Sequence, residues 1–344
     1  MKITMKTIKL IGFLFIIGGA VHVDAQQEGH YINNANNPYI VNPAAGGLTD
    51  VMQLELTSRS QWLGYSNGPR AMMVNGFSSI KIGESGEGLG EFNYKDKALF
   101  SSPERSLGFI KHVAGGKALV ESIGPFQKTS VQGTYAIHLP FSKDYNISAG
   151  LGLGWSSLGI IEDRVVLFQE DDIAYSEFLG NTSSQNIFDA SAGITFYGKN
   201  LFIGFSSTQI LKNKAVFDDV LTESNFNRHY FLIAKYRFDM GDLMSLEPSI
   251  VGKIVENSPF SADFGVRATY NKSAWIGVQY RLTNALTLQV GANIIKNLYI
   301  SYGYEHSIGA IRSVNNGTHE IQLGFYLGNN RNLDREMKDA NSEE

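Results

Sequence analysis

From Asn227 to Gly328 the chain alternates apolar and polar residues, strand after strand, with only a few residues between one run and the next. Tyr230, Leu232, Ala234, Tyr236 and Phe238 alternate with Phe231, Ile233, Lys235 and Arg237. Phe264, Val266, Ala268 and Tyr270 alternate with Gly265, Arg267 and Thr269. Ile276, Val278, Tyr280 and Leu282 then face away from Trp275, Gly277, Gln279 and Arg281. The pattern runs on through Leu286 to Ala292 and returns at Ile321, Leu323, Phe325 and Leu327. A period of two gives each strand one apolar and one polar face. Strands of about ten residues with an aromatic-rich apolar face have the length to cross a bilayer as a tilted, closed barrel. The pattern therefore predicts an all-β protein, a transmembrane antiparallel β-barrel.

Composition agrees. Of 344 residues only 18% are charged and 12% are aromatic, with 36 Gly against 8 Pro. Low charge with abundant Gly and aromatics suits an outer wall that meets lipid and a crowded inner one. Mean hydropathy near zero excludes a bundle of apolar helices but not a barrel, whose alternation cancels in any window. The absence of cysteine removes disulfides, thiolate metal sites and thiol catalysis.

The first residues read as an address. Lys2, Lys6 and Lys9 precede the apolar run Leu10 to Val21, and Val23-Asp24-Ala25 offers small residues for cleavage. That run is about half the ~20 residues of a spanning helix, as in a secretory signal peptide over residues 1–25. Losing Lys2, Lys6, Lys9 and Asp24 takes the net charge from −4 to −6. No basic patch stands out, so nucleic acid is not an expected partner. Residues 26–50, rich in Asn, Gly and Pro, read as a leader or short plug before the barrel of residues 51–328. Residues 329–344 read as a polar tail.

Within the barrel the first strand is expected at Val51–Trp62, with a hairpin at Ser66-Asn67-Gly68-Pro69 leading into Arg70–Ile82. Ser106–Val113 reads as a short strand and Gly115–Pro125 as a loop. Leu151, Leu153 and Trp155 alternate with Gly150, Gly152 and Gly154, a glycine face that implies close packing by a plug or guest chain, or relief of crowding in a curved wall. The strands number about fourteen, an even count as bacterial barrels require. With a periplasmic N-terminus, connections after odd strands face outward and should be longer. Segments near 114–125, 161–185, 211–226 and 307–317 obey that rule, and 83–103 breaks it.

Chemistry is sparse. The glycines of 83–90 lack the strand-then-helix context of a phosphate cradle. Glu162-Asp163-Arg164 and Glu170-Asp171-Asp172 lack the alternating ligands of a calcium loop. The histidines are scattered, and His319-Glu320 project to opposite faces of a strand. Neither an enzyme nor a cofactor or metal site is expected.

The motifs Asn42-Pro43-Ala44-Ala45-Gly46-Gly47, Arg59-Ser60-Gln61-Trp62-Leu63-Gly64 and Gly68-Pro69 resemble the opening of the PorP/SprF family. Those are outer-membrane proteins of the type IX secretion system of Bacteroidota. The likeness recurs at Leu201-Phe202-Ile203-Gly204-Phe205-Ser206, Leu246-Glu247-Pro248, Trp275–Arg281 and Gly317-Thr318-His319-Glu320-Ile321. It departs from the family at Ser58, where an aromatic is common, and at Gly46, where alanine is usual. The resemblance implies an integral outer-membrane barrel of the export and gliding machinery, without enzymatic activity. Its implied partners are a secreted, adhesin-like substrate, other type IX components and outer-membrane lipid. The motif residues Asn42, Pro43, Gly47, Arg59, Gln61, Trp62, Pro69, His319 and Glu320 are the candidate partner-binding set. The alternative for the opening motifs is that they set the first hairpin and its interfacial anchor. The alternative for the whole is a pore or transporter for small or hydrophobic solutes.

Overall fold

The computed structural model describes residues 31–48, 51–80, 110–165, 184–211, 214–216, 223–225, 227–282, 285–295, 297–309, 312–313 and 315–327. The expected signal peptide, the 83–103 loop and the polar tail lie outside the described residues, as do parts of the 161–185 and 211–226 segments.

Fourteen strands close into one antiparallel barrel. They are β1 Met52–Ser60, β2 Arg70–Ile80, β3 Lys111–Ile123, β4 Phe126–Pro140, β5 Tyr145–Ile160, β6 Ser184–Gly198 and β7 Leu201–Thr208. The second half comprises β8 His229–Tyr236, β9 Met244–Val255, β10 Ser261–Tyr270, β11 Ala274–Arg281, β12 Ala285–Ile295, β13 Leu298–Ser307 and β14 Thr318–Leu327. Each strand pairs with its neighbours in sequence, and β1 pairs with β14 to close the wall. Past Arg237, Phe238–Met240 extends β8 along β9. Closure leaves no unpaired edge, the condition for surviving in lipid.

Alternation sets the two faces as the sequence predicts. On β1, Glu55, Thr57 and Arg59 are buried inside, whereas Met52, Leu56 and Ser58 are exposed outside. The contrast is extreme at Leu153, 73% exposed, against Glu55 at 0%. Such apolar exposure has a place only against lipid. Aromatic rings gather at the end of the short turns, where Phe141 and Tyr145 pack on Phe196 at 6.1 and 5.0 Å and Tyr236 on Phe238 at 4.6 Å. Amphipathic rings favour that interfacial depth.

One expectation fails. Gly115–Pro125 is not a loop, because residues through Ile123 belong to β3 and only Gly124-Pro125 turn the chain into β4. Gly115 and Lys117 face inward, where Gly115 makes room for Tyr39 and Lys117 reaches a backbone carbonyl. The other long connections after odd strands stand, at residues 161–183, 209–228 and 308–317. The barrel therefore has a loop end and a turn end. By the usual asymmetry of bacterial barrels the loop end faces outward from the cell.

Candidate functional site

The lumen holds residues 31–48, almost all of them buried. Asparagine and proline prevent regular structure here and build two tight 3-10 turns instead. Asn37 caps Pro38–Ile40 by accepting from the Tyr39 N–H at 3.2 Å, and Asn42 caps Pro43–Ala45 by accepting from Ala44 at 2.9 Å. Proline fits the first position of each turn because its missing N–H has no partner to lose there.

Backbone inside a barrel still needs hydrogen-bond partners, and the inner wall supplies them. The Glu320 carboxylate accepts from the N–H groups of Ile32 at 2.9 Å and Asn33 at 3.2 Å. Gln289 donates to the Ile32 carbonyl at 2.8 Å. Three lysines, two on β3 and one on β8, donate to further carbonyls: Lys235 to Ala35 at 2.9 Å, Lys117 to Ile40 at 2.9 Å and Lys111 to Gly47 at 2.7 Å. Ser148 donates to the Ala44 carbonyl at 2.7 Å, and His138 Nε2 meets the Gly46 carbonyl at 2.8 Å. The side chains of the segment add their own bonds. Asn33 reaches Gln322, Asn36 reaches Gln289 at 2.9 Å, and Asn37 reaches Glu55 at 2.6 Å. The Tyr39 hydroxyl pairs with Thr134 at 2.6 Å, and burial pushes its phenol up to about 12.

Packing closes around these contacts. Tyr39, Ile40, Val41, Ala45 and Leu48 form one apolar cluster with the inward-facing Met73, Phe77, Val113, Phe202, Phe231 and Ile233. Glycines in the wall permit the approach. A Cβ on Gly150 would lie 2.5 Å from the Ala44 nitrogen, and one on Gly193 would collide with the Asn42 side chain. The Asn42 amide instead donates to the Ile194 and Phe205 carbonyls, each at 3.3 Å. The glycine face of β5 thus serves a chain inside the barrel at Gly150, whereas Gly152 and Gly154 adjoin Gln132 of the wall. Between the segment and the wall a cavity of about 90 Å³ remains, lined by Ile40, Val41, Lys128, Gln132, Asp189 and Gln209.

Several charges inside the wall are paired. Arg281 forks between Asp263, at 2.8 Å, and Glu305, at 2.7 Å. Glu247 lies between Arg267 at 2.8 Å and Lys235 at 3.8 Å. Arg59 stands 3.9 Å from Glu320 and 5.8 Å from the Tyr31 ring centre. No trio of acidic or histidine side chains poised for a metal occurs among the described residues.

The candidate partner-binding residues separate into three places. Asn42, Pro43 and Gly47 lie in the inner segment, and Arg59 and Glu320 face it from adjacent strands. Gln61, Trp62 and Pro69 sit on the first hairpin at the loop end, half-buried. His319 faces outward, its Nδ1 2.6 Å from the Tyr302 hydroxyl. Sequence reasoning missed Lys111, Lys117, Lys235 and Gln289. A signal was present in Lys235, a cation that shares the inner face of β8 with Phe231 and Ile233.

The hairpin is held firmly. Gln61 donates to the Pro69 carbonyl at 2.8 Å, and Leu63 exchanges bonds with residues of the last loop, donating to Gly317 at 2.9 Å and accepting from Asn316 at 2.6 Å. Trp62 is fixed at φ 54°, a left-handed conformation that a bulky residue seldom adopts. Leu63 and Tyr65 stand exposed beside it.

Among solved structures the chain is similar to the toluene transporter TbuX of Ralstonia pickettii, at 13% identity over 83% of this chain and 92% of that one, TM-score 0.47. It is also similar to the outer-membrane protein Omp33 of Acinetobacter baumannii, at 8% identity over 82% and 100%, TM-score 0.45. A FadL homologue of Pseudomonas aeruginosa matches at 10% identity over 83% and 93%, TM-score 0.45. Likeness at this level says nothing of what this chain handles. No curated protein matches it. The model of the family described as type IX secretion system membrane protein PorP/SprF matches residues 23–325. With that match over the whole barrel, the chain belongs to the PorP/SprF family and is an integral barrel of the bacterial outer membrane.

Proposed function

We propose that this barrel is a non-enzymatic adaptor of the type IX secretion machinery rather than a conduit. It receives or anchors the C-terminal region of a secreted surface protein and links it to the translocon. Membership of the family implies other secretion components as partners. The observation that carries the adaptor reading is the inner segment, whose backbone is bonded to the wall along its length. A diffusion pore needs a water-filled lumen, and here the lumen holds the protein's own chain.

A partner must then dock on the rim or the loops, since a closed barrel has no strand edge to extend. The 61–69 hairpin is the surface we assign to it, with Trp62, Leu63 and Tyr65 presented on a rigid frame at the loop end. Buried tryptophans rank among the commonest binding hot spots, and truncating one costs ~2 kcal/mol or more.

The deciding experiment is affinity purification of the tagged barrel from native outer membranes, together with conductance in planar bilayers. Co-purification of a secreted protein with an electrically silent barrel is the expected result. A stable open channel without bound cargo would establish the solute-transporter reading instead. At residue level, Trp62→Gly removes the indole while relieving the left-handed backbone, so the barrel itself should not weaken. Surface display of the cargo should fall about ten-fold. Unchanged display at equal barrel levels would remove the hairpin from the docking surface.

A further inference from the structure

The outer face of the wall carries a feature that the adaptor reading does not use. At the loop end Arg70, Ser60 and His319 stand side by side on β2, β1 and β14, with Ser60 opposite Arg70 on one side and opposite His319 on the other. All three project outward, because Ala71, Arg59 and Glu320, their neighbours in sequence, are buried inside. Tyr304 of β13 continues the row, opposite His319. One row nearer the membrane centre, Tyr302, Ile321, Ser58 and Met72 begin the apolar belt.

The chemistry of the row is one-sided. On the outer faces of β1, β2, β13 and β14 no carboxylate is present, since Glu55, Glu305 and Glu320 all point inward, and Arg70 is the one charged side chain there. The His319 ring is fixed by the Tyr302 hydroxyl at its Nδ1, 2.6 Å away, and by Tyr304, whose ring centre is 5.2 Å off. The Tyr302 hydroxyl engages Nδ1, which leaves Nε2 as the ring nitrogen that can donate to a bound group. Neighbouring strands are about 4.8 Å apart, so an arginine side chain folding over Ser60 brings its guanidinium within reach of the same group that His319 meets.

We propose that Arg70, Ser60 and His319 form a binding site for the phosphate of an outer-leaflet lipid. Three donors from three adjacent strands converge on an acceptor at the depth where headgroups begin, and the acyl chains would lie on Met72, Ile321 and Tyr302 below. Guanidinium with phosphate is among the strongest charge-assisted pairs. The loop end faces the outer leaflet in this assignment, which is independent of any cargo. The barrel supplies its own control. At the turn end, His112 pairs with the Tyr135 hydroxyl at the same 2.6 Å, but its neighbours across the sheet are Ile80 and Ile137, and no cation stands opposite it among the described residues.

The test is native mass spectrometry of the purified full chain with lipid A, with enzymatically dephosphorylated lipid A and with inorganic phosphate alone. Phosphorylated lipid A should bind at least ten-fold tighter to the wild type than to the Arg70→Gln/His319→Gln variant. Dephosphorylated lipid A should bind both equally, and His112→Gln should change nothing. Equal binding of phosphorylated lipid A by wild type and double variant would overturn the site. Inorganic phosphate binding as tightly as the lipid would overturn the lipid assignment. All three side chains lie on the surface, and Ser60→Ala, the mildest change, should still weaken phosphorylated lipid A several-fold if the double variant fails to fold.

Discussion

Exchanging Gly150 for valine is expected to drive residues 31–48 out of the barrel and turn a silent wall into a conducting one. The added Cβ would lie 2.5 Å from the Ala44 nitrogen and 2.7 Å from its Cα, backbone atoms held in place by the second 3-10 turn. Neither side yields easily, because the opposing atoms are backbone on the segment and strand on the wall. Overpacking of this kind costs about 1–3 kcal/mol, and adding Gly193→Val, against Asn42, roughly doubles it. The wall itself tolerates the change, since a β-branched residue suits a strand. The wall bonds at the second turn, from Ser148, His138 and Lys111, are worth ~1 kcal/mol each net, which is the size of the clash that opposes them. Conductance in planar bilayers should change from closed to open while the heat-modifiable mobility of a folded barrel persists. Gly133→Val is the control, with nothing within 4 Å of the new atom. A double variant that stays silent would mean that the segment is not the seal.

The wall was legible in the sequence because its physics is local. A strand with lipid on one side and packed polar groups on the other must alternate, and β8 to β14 do so over most of their length, with departures at a bulge near Asn293 and a buried run at Val251–Lys253. Strand count and closure followed from that period. The lumen was less legible because its contacts are not local. Glu320 lies 288 residues from Ile32, and Lys235 lies 200 from Ala35, so no window of sequence holds both partners. Asn37 and Asn42 read as turn formers, which they are, but their second hydrogen bonds into the wall leave no mark on the pattern. At β3 the same limit produced an error. Gly115 and Lys117 look like loop residues until Tyr39 and the Ile40 carbonyl are placed against them. The glycine face of β5 and the Asn-, Gly- and Pro-rich composition of residues 26–50 were the local signs that a chain segment lay inside.

The candidate residues differ in what their substitution should do. Arg59 and Glu320 belong to the grip on Ile32 and Asn33, so changing them disturbs the inner segment before any partner. The hairpin residues Gln61, Trp62 and Pro69 make no such contact with it in the described structure. A cargo-display defect at Trp62 with normal conductance, set beside a conductance change at Gly150, would divide docking from sealing experimentally.

Arg281→Met is expected to be the most damaging single change in the wall. The guanidinium bonds Asp263 through two nitrogens, at 2.8 and 3.2 Å, and Glu305 through a third at 2.7 Å, while Gln279 also holds Asp263 at 3.0 Å. Both carboxylates are almost fully buried. Removing their shared cation leaves two like charges facing each other away from water, and breaking a buried pair in this way costs about 3–5 kcal/mol. Urea titration of the barrel refolded into lipid vesicles should show the loss as a lower midpoint with an unchanged slope. The cause can be isolated by combining Arg281→Met with Asp263→Asn and Glu305→Gln. Neutral amides keep the volume and can bond each other across the gap, so the triple variant should regain more than half of the lost stability. If it remains as weak as Arg281→Met alone, the arginine acts through its packed stem, not through charge. The polar interior of this half of the wall would then owe its stability to shape, and the paired charges would be incidental to it.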